Sequence, residues 1–298
     1  MLQVMIWDVD HGSAAYIKTP TGKHIAIDLG VGDMSEGGKE FSPLRHLRKH
    51  YGVERLDKLV ITHPHRDHLD DIANVSLLNP RLLRAERGIK DEFINKGNKP
   101  NDKDILGAYR SLLEEYKTSV GGTPAPAVDW GCTIQHFHPV YDGPNLNNYS
   151  VVTVISYAGS KIVIPGDNEG GSWESLLKQS AFVSAIKGTD IFVASHHGRE
   201  SGFYGELFDH FKPKLVIVSD TNHGSTSVTG NYTYHAEGWQ VDHGRKGRVD
   251  ADPRYTLTTR NDGNILIKCG TNSTTGRNYL AVSTELGAPQ QKAASYRF

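Results

Sequence analysis

The densest group of metal-binding side chains in this 298-residue chain is the stretch Thr62-His63-Pro64-His65-Arg66-Asp67-His68. The apolar run 59–61 comes directly before it and predicts a strand that leads into a turn. His63 and His65 are two residues apart, so on an extended turn both rings point to the same side. Zn²⁺ and similar ions favour such nitrogen and oxygen ligands, and hydrolytic sites keep one coordination position open for water. The stretch therefore predicts a metal site rather than a histidine-rich surface loop.

Three further segments combine a short apolar run with polar residues at its end. They are 25–30, which ends in Asp28-Leu29-Gly30, 161–167, which ends in Pro165-Gly166-Asp167, and 191–198, which ends in His196-His197-Gly198. In this order, and together with 62–68, they resemble the motifs of the metallo-β-lactamase superfamily. The resemblance implies an α/β fold, a four-layer αββα sandwich in which turns at the ends of strands hold the metal ions.

Within that superfamily, the chain is most similar to the nuclease-like domain of DNA-uptake proteins of the ComEC/Rec2 type. The similarity rests on residues 6–14, 147–152, 196–198 and 254–267. The sequence departs from that family at Asp10-His11-Gly12-Ser13, where the relatives carry Gly-Gln-Gly-Asp. This departure places an additional imidazole, His11, at the expected rim of the pocket.

The extent of the resemblance also predicts how the chain is divided. A single metallo-β-lactamase-like domain is expected over 1–270, with insertions at about 79–130 and 222–253. Residues 271–298 are polar and are expected to form a C-terminal extension.

The resemblance implies a role for each metal ligand. His63 and His65 would bind the first of two divalent ions. Asp67 and His68 would bind the second, and Asp167 would reach both.

The second position needs one more ligand, either His196 or His197. His196 is preferred, but the sequence does not fix the register of this strand and His197 stays open. In the implied mechanism Asp67 orients a metal-activated hydroxide, while His197, His11 or His235 protonates the leaving group.

The first position lacks the histidine that the superfamily usually places about twenty residues before the bridging aspartate. Asn147 or Asn148 stands there, as in the DNA-uptake relatives, and His136 and His138 lie further upstream. This position is therefore filled by one of those histidines, by an asparagine oxygen or by water. Oxygen ligands suit Mn²⁺ or Mg²⁺ better than Zn²⁺, so zinc, manganese and magnesium all stay candidates.

The composition limits which substrates the protein can bind and which cellular location is expected. The net charge of −1 excludes a large basic face that would coat DNA, but local cations remain for phosphate binding. These candidates are Arg199, Arg245, Lys246 and Arg248, with His11, Asn147 and Asn148 beside them. Only two cysteines occur and no run of eighteen apolar residues, so a cytoplasmic protein without a membrane span is expected.

The leading hypothesis is a metal-dependent hydrolase that acts as a phosphodiesterase or nuclease, with nucleic acid or a small phosphodiester as substrate. A hydrolase of small esters, lactones or amides is the alternative within enzymes. A metal-stabilised binding module with weak or no catalysis is the alternative outside them.

Apolar periodicity predicts the remaining elements. Strands are expected at 2–8, 13–19, 23–28, 58–62, 132–138, 151–157, 161–165, 190–194 and 214–219. Helices are expected from Ser42-Pro43 to Tyr51, over 103–118 and over 172–187. A hairpin over 254–268, turning at Asn261-Asp262-Gly263, would close the fold, and 94–103 would be an exposed loop.

Overall fold

The protein is described by a computed structural model that covers residues 1–33, 40–117, 129–220, 228–243, 248–250 and 252–285. Its frame is a pair of mixed β-sheets. The spatial order of the nine-stranded sheet is β14 (Arg248–Val249), β13 (Val241–His243), β17 (Asn278–Thr284), β16 (Ile265–Thr271), β1 (Leu2–Ile6), β2 (Ala15–Lys18), β3 (His24–Ile27), β6 (Lys58–Val60) and β7 (Leu83–Arg84). The order of the six-stranded sheet is β15 (Thr256–Thr258), β12 (Leu215–Val218), β11 (Ile191–Val193), β10 (Ser160–Ile164), β9 (Val152–Tyr157) and β8 (Thr133–Phe137). A small ribbon pairs β4 (Gly32–Asp33) with β5 (Glu40–Phe41).

Strand β1 shows why the sheets stack. Alternate side chains point to opposite faces of a strand, and both faces of β1 are buried. Leu2, Val4 and Ile6 join the core between the two sheets, whereas Met5 contributes to the core under the outer helices. Four of the five residues of the strand are therefore apolar, and the polar Gln3 is buried as well.

Helices cover the outer face of each sheet. The larger sheet carries α1 (Pro43–His50), α2 (Asp91–Gly97) and α3 (Lys103–Glu115), and the smaller carries α4 (Gly170–Leu177), α5 (Ser180–Ile186) and α6 (Thr229–His235). Helix α1 begins where predicted, with Pro43 in its first turn and the Ser42 hydroxyl accepting a hydrogen bond from the Arg45 amide. The predicted αββα sandwich is confirmed.

The predicted closing hairpin over 254–268 is wrong. Strand β15 pairs in parallel with β12 in the smaller sheet, and β16 pairs antiparallel with β1 in the larger sheet. The short helix α7 (Thr259–Asp262) carries the chain from one sheet to the other and ends at Gly263, whose φ is 70°. Two consecutive strands thus belong to different sheets, which local periodicity does not reveal.

Other segments are more ordered than their composition indicates. The expected loop over 94–103 contains the end of α2, which Ile94 anchors in the core. The expected helix over 172–187 is two helices, α4 and α5. In the expected C-terminal extension, β17 lies between β13 and β16, so residues 278–284 are part of the larger sheet. The division into one domain with two insertions stays a prediction.

Candidate metal centre

The predicted ligands lie at one end of the sandwich, in turns that follow the strands. Asp28 follows β3 and the turn 62–68 follows β6, two parallel neighbours in the larger sheet. Asp167 follows β10 and the turn 195–198 follows β11, two parallel neighbours in the smaller sheet. Parallel strands end at the same edge, so four turns converge, and the His68 Nε2 atom lies 3.3 Å from Asp167 Oδ2 across the two sheets.

His68 is held in one orientation by Asp28. The His68 Nδ1 atom lies 2.8 Å from Asp28 Oδ2, and both the amide and the hydroxyl of Thr62 donate to the same carboxylate. With Nδ1 bound to Asp28, Nε2 is the ring nitrogen that faces Asp167 and can meet a metal ion. That Nε2 atom is buried and has no hydrogen-bond partner among the described residues.

His197, rather than His196, faces the centre. The His197 Nδ1 atom donates to the Ser219 carbonyl at 3.0 Å, and its Nε2 atom lies 3.3 Å from both Asp67 Oδ2 and Asp167 Oδ2. His196 Nδ1 instead lies 3.0 Å from Glu169 Oε1. Both histidines have left-handed backbone angles, so neighbouring side chains diverge, and the geometry reverses the preference for His196 as the ligand.

His63 and His65 lie next to each other beside Asp167. His63 Nε2 lies 2.8 Å from His65 Nδ1 and 3.9 Å from Asp167 Oδ2. The Ser150 hydroxyl lies 3.2 Å from His63 Nδ1 and fixes the ring. Burial, together with the neighbouring His68, holds the pKa of His63 well below its ordinary value, so this imidazole is neutral and can ligate a metal.

These residues fit divalent metal ions. Two groups each bring three ligand atoms within 4.8 Å of one another: His63, His68 and Asp167, and Asp67, His68 and His197. The buried Nε2 atoms of His68 and His197 lack hydrogen-bond partners in the described chain and point at carboxylates, as metal ligands do.

The electrostatic environment also favours cations. Burial opposes charge on His197, yet Asp167 and Asp67 outweigh it and raise the pKa of this imidazole to about 9. For His68, Asp167 and Asp28 likewise overcome burial and hold the pKa well above its ordinary value. The potential that attracts protons here would also attract a metal ion.

A cavity of about 610 Å³ opens over the centre. At its rim, Arg199 Nη2 lies 2.8 Å from His11 Nε2, and Arg199 Nη1 lies 3.4 Å from His196 Nε2. A second arginine of the rim, Arg66, pairs with the carboxylates of Asp70 and Asp102 at 2.9 and 3.2 Å. No comparable carboxylate pairs with Arg199 in the part of the chain that the structure describes.

Sequence reasoning missed Glu169, which organises one wall of this cavity. Its carboxylate accepts from Asn145 Nδ2 at 2.6 Å and from Asn147 Nδ2 at 3.0 Å, besides its contact with His196. The hydrogen bond from His196 leads these contacts in lowering the pKa of Glu169 to about 2. The available signal was an acid just before α4, where an N-terminal capping role is the ordinary interpretation.

Several predicted residues lie elsewhere. His235 stacks on Phe208 with ring centroids 4.4 Å apart, in the outer helical layer of the smaller sheet, and is not among the residues that line the cavity, so its catalytic role stays a prediction. His136 Nε2 lies 2.7 Å from Lys58 Nζ, and His138 Nδ1 lies 3.5 Å from Glu86, so neither joins the ligand groups found in the described chain.

The predicted basic arm is largely outside the described residues. Arg245 and Lys246 fall there, and Arg248 is described only as part of β14. Their phosphate-binding role stays a prediction.

No protein-family profile matches the sequence. The chain is similar to the ComE operon protein 3 of Bacillus subtilis (strain 168), with 23% identity over 239 residues, a match that covers 73% of this chain and 28% of that protein. The chain thus spans little more than a quarter of the length of this relative.

Similar solved structures come from several sources. A protein described as a metal-dependent hydrolase from Parabacteroides distasonis has 14% identity and a TM-score of 0.41, covering 86% of this chain and 92% of that one. MEM-A1, a subclass B3 metallo-β-lactamase from a soil metagenome library, has 18% identity and a TM-score of 0.37, covering 69% and 79%. Zn²⁺-bound PqqB from Methylobacterium extorquens has 11% identity and a TM-score of 0.37, covering 74% and 89%.

These TM-scores are low, so the fold assignment rests on the sheet order and the helical layers described above. Every helix among the described residues is too short or too polar to cross a bilayer.

From its sheet order and helical layers, the chain has a metallo-β-lactamase-like fold, and its sequence is similar to that of the ComE operon protein 3.

Proposed function

We propose that the protein is a metal-dependent hydrolase of phosphodiesters, with nucleic acid or a small phosphodiester as its substrate. The observation that carries the proposal is Arg199, a guanidinium at the mouth of the candidate metal centre whose side-chain partners are two imidazoles. Its charge is not neutralised by a carboxylate among the described residues, in contrast to that of Arg66. A planar guanidinium with free donors matches the oxygens of a phosphate group.

The centre would hold two ions, with Zn²⁺, Mn²⁺ and Mg²⁺ as candidates. His63, His65 and Asp167 would hold the first, and Asp67, His68 and His197, with Asp167, the second. When bound, such ions lower the pKa of a water and neutralise charge on phosphoryl oxygens.

Asp67 would orient the attacking water. Its side chain is 28% exposed, so it reaches both the cavity and the buried ligand His197, 3.3 Å away. Burial opposes its ionisation, but His197 and His68 hold the pKa of Asp67 below its ordinary value. An ionised carboxylate at this place accepts a hydrogen bond from water and fixes its direction of attack.

His11 is better suited to holding Arg199 than to donating a proton. Its Nε2 atom accepts from the guanidinium, and burial followed by the effect of His197 lowers the pKa of His11. A neutral imidazole with an occupied acceptor nitrogen orients its donor. His11 would therefore aim Arg199 at a phosphate of the substrate.

Turnover on defined substrates tests the proposal. Protein loaded with Mn²⁺, Mg²⁺ or Zn²⁺ would be offered linear DNA, RNA, bis-p-nitrophenyl phosphate, a lactone and a lactam. We expect phosphodiester cleavage that Asp67→Ala abolishes while its circular dichroism spectrum stays unchanged. Efficient lactone or lactam hydrolysis without any phosphodiester cleavage would overturn the substrate class.

The role of Arg199 is tested against a matched arginine of the same cavity. We expect Arg199→Gln to raise KM for DNA about 10-fold or more, the value of one or two charged hydrogen bonds, with a smaller change in kcat. Arg66→Gln should have little effect on KM, because its charge is already paired with Asp70 and Asp102. Equal changes in both variants would contradict a specific phosphate contact.

A further inference from the structure

Asn147 has a buried oxygen without a hydrogen-bond partner beside the candidate metal centre. The residue lies in the short 3-10 turn Leu146–Tyr149 before β9, and its side chain lines the same cavity as His65 and Asp167. Only 7% of Asn147 is exposed, and its Oδ1 atom accepts nothing from the described residues. Buried carbonyl oxygens nearly always have a hydrogen-bond partner, so this oxygen without one indicates a site where a cation or another group binds.

The orientation of this amide is set by Glu169. A carboxylate that already accepts from Asn145 and His196 can only accept from Asn147 as well, so the NH₂ group of Asn147 must face it, at 3.0 Å. The opposite orientation would place oxygen against oxygen. The Asn147 Oδ1 atom is therefore directed away from Glu169.

Its neighbour Asn148 has a different task. The Asn148 Oδ1 atom accepts from the Glu169 amide at 3.2 Å and helps to position that turn. Of the two asparagines, only Asn147 keeps an unsatisfied oxygen within the described structure.

We propose that Asn147 Oδ1 is an oxygen ligand of the first metal position, and that it lowers the preference of this position for Zn²⁺ over Mn²⁺ and Mg²⁺ relative to a third imidazole. The proposal rests on the metal centre of the proposed function. The first position would then combine two imidazoles, the Asp167 carboxylate and a neutral amide oxygen. The second would combine two imidazoles with the carboxylates of Asp67 and Asp167.

The two donor sets differ in charge and softness. Zn²⁺ favours nitrogen and sulfur ligands, whereas harder ions accept neutral oxygen ligands readily. The second position also has one more carboxylate, so its ion should be held more tightly. Glu169 would act as a positioning residue, because it determines which end of the Asn147 amide faces the cavity.

Metal binding by the full chain, measured without substrate, tests this assignment. Mn²⁺ would be counted by the electron paramagnetic resonance signal of the free ion, and Zn²⁺ by calorimetry. We expect two Mn²⁺ ions for the unchanged protein. Asn147→Leu should weaken the first at least 10-fold and leave the second within 2-fold, with an unchanged melting temperature of the metal-free protein.

A variant that changes the metal preference distinguishes a metal ligand from a residue that only supports the fold. Asn147→His supplies an imidazole at the same place and should raise the preference of the first position for Zn²⁺ over Mn²⁺ at least 10-fold. In Glu169→Gln the new NH₂ group permits the Asn147 amide to flip. This variant should therefore lower the affinity for the first Mn²⁺, by a smaller factor.

Asn145→Ser is the matched control, because Asn145 lies just before the same turn and donates to the same carboxylate. It should leave Mn²⁺ affinity within 2-fold. Unchanged Mn²⁺ binding in Asn147→Leu, or an equal loss in Asn145→Ser, would overturn the assignment. Loss of one ion in Asn147→Leu without any phosphodiester turnover by the unchanged protein would uphold it while refuting the proposed substrate.

Discussion

Two regions of the molecule bury imidazoles, and they treat them in opposite ways. At the candidate metal centre, carboxylates outweigh burial and raise the pKa of His197 to about 9. Between β1 and α1, His46 is just as deeply buried, but its ring is surrounded by aromatic rings, and burial lowers its pKa to about 4.

The difference teaches what distinguishes a metal site from a buried histidine. Both His197 and His46 have an Nε2 atom without a hydrogen-bond partner in the described structure. Only the Nε2 atom of His197 faces acids, with Asp67 and Asp167 both at 3.3 Å. A buried imidazole nitrogen without a hydrogen-bond partner indicates a cation site only when carboxylates converge on the same point.

The largest expected effect separates His197 from its neighbour. Because His197 faces both acids, His197→Ala should remove a ligand of the second ion and several kcal/mol of transition-state stabilisation, on the order of 10³-fold in kcat/KM. His196→Ala should cost much less, since His196 contacts Glu169 and Ser201 instead. Metal content and phosphodiester turnover of both variants would check this. A greater loss in His196→Ala would restore His196 as the ligand.

This pair shows where sequence reasoning stops. The candidate ligands of 62–68 lie within six residues, so their spacing alone predicts a site, and the structure brings them to one end of the sandwich. The choice between His196 and His197 depends on the Ser219 carbonyl, which lies after a different strand and fixes only His197. The role of Asn147 depends likewise on Glu169, whose side-chain contacts come from two other segments, the turn that holds Asn145 and Asn147 and the turn that holds His196.

The strand pattern has the same limit. The runs around β15 and β16 were recognised as strands because apolar periodicity is local. Their partners, β12 and β1, are distant in sequence, and a four-residue helix sends the two runs to different sheets. Strand pairing is a non-local property, which single-chain patterns do not contain.

The next prediction concerns His46, which lies among aromatic rings, and the loss of stability that its burial causes at acid pH. The pKa of His46 in the folded protein, about 4, is below the ordinary 6.5, so between these values the unfolded chain binds a proton that the folded protein excludes. Stability is therefore complete above pH 6.5 and falls as the pH drops toward 4, by up to about 3 kcal/mol. His46→Phe should reduce this fall by a similar amount.

Urea unfolding of the metal-free protein at pH 7 and pH 4 measures that difference. His138→Gln serves as the control, because the His138 side chain is 49% exposed and should not change the acid dependence. If His46→Phe loses as much stability between the two pH values as the unchanged protein, burial of His46 does not govern its acid sensitivity.

The smallest effect concerns the acid that fixes His68. Asp28 has a φ of 60°, which asparagine tolerates, so Asp28→Asn should leave the backbone in place. Asparagine has one acceptor oxygen, however, and it cannot serve both the Thr62 amide and His68 Nδ1, which now bind opposite oxygens of the carboxylate. One donor must then face the new NH₂ group. His68 loses its fixed orientation, and we expect metal affinity at the second position to fall about 10- to 100-fold, as for other partners of metal-binding histidines.

Asp71→Asn is the control, because Asp71 is equally buried and also accepts from a backbone amide, that of Leu44 at the start of α1. That substitution should lower the melting temperature and leave Zn²⁺ affinity unchanged in calorimetry. Equal Zn²⁺ affinity in the Asp28 variant and the unchanged protein would show that the three buried hydrogen bonds of the Asp28 carboxylate serve folding alone.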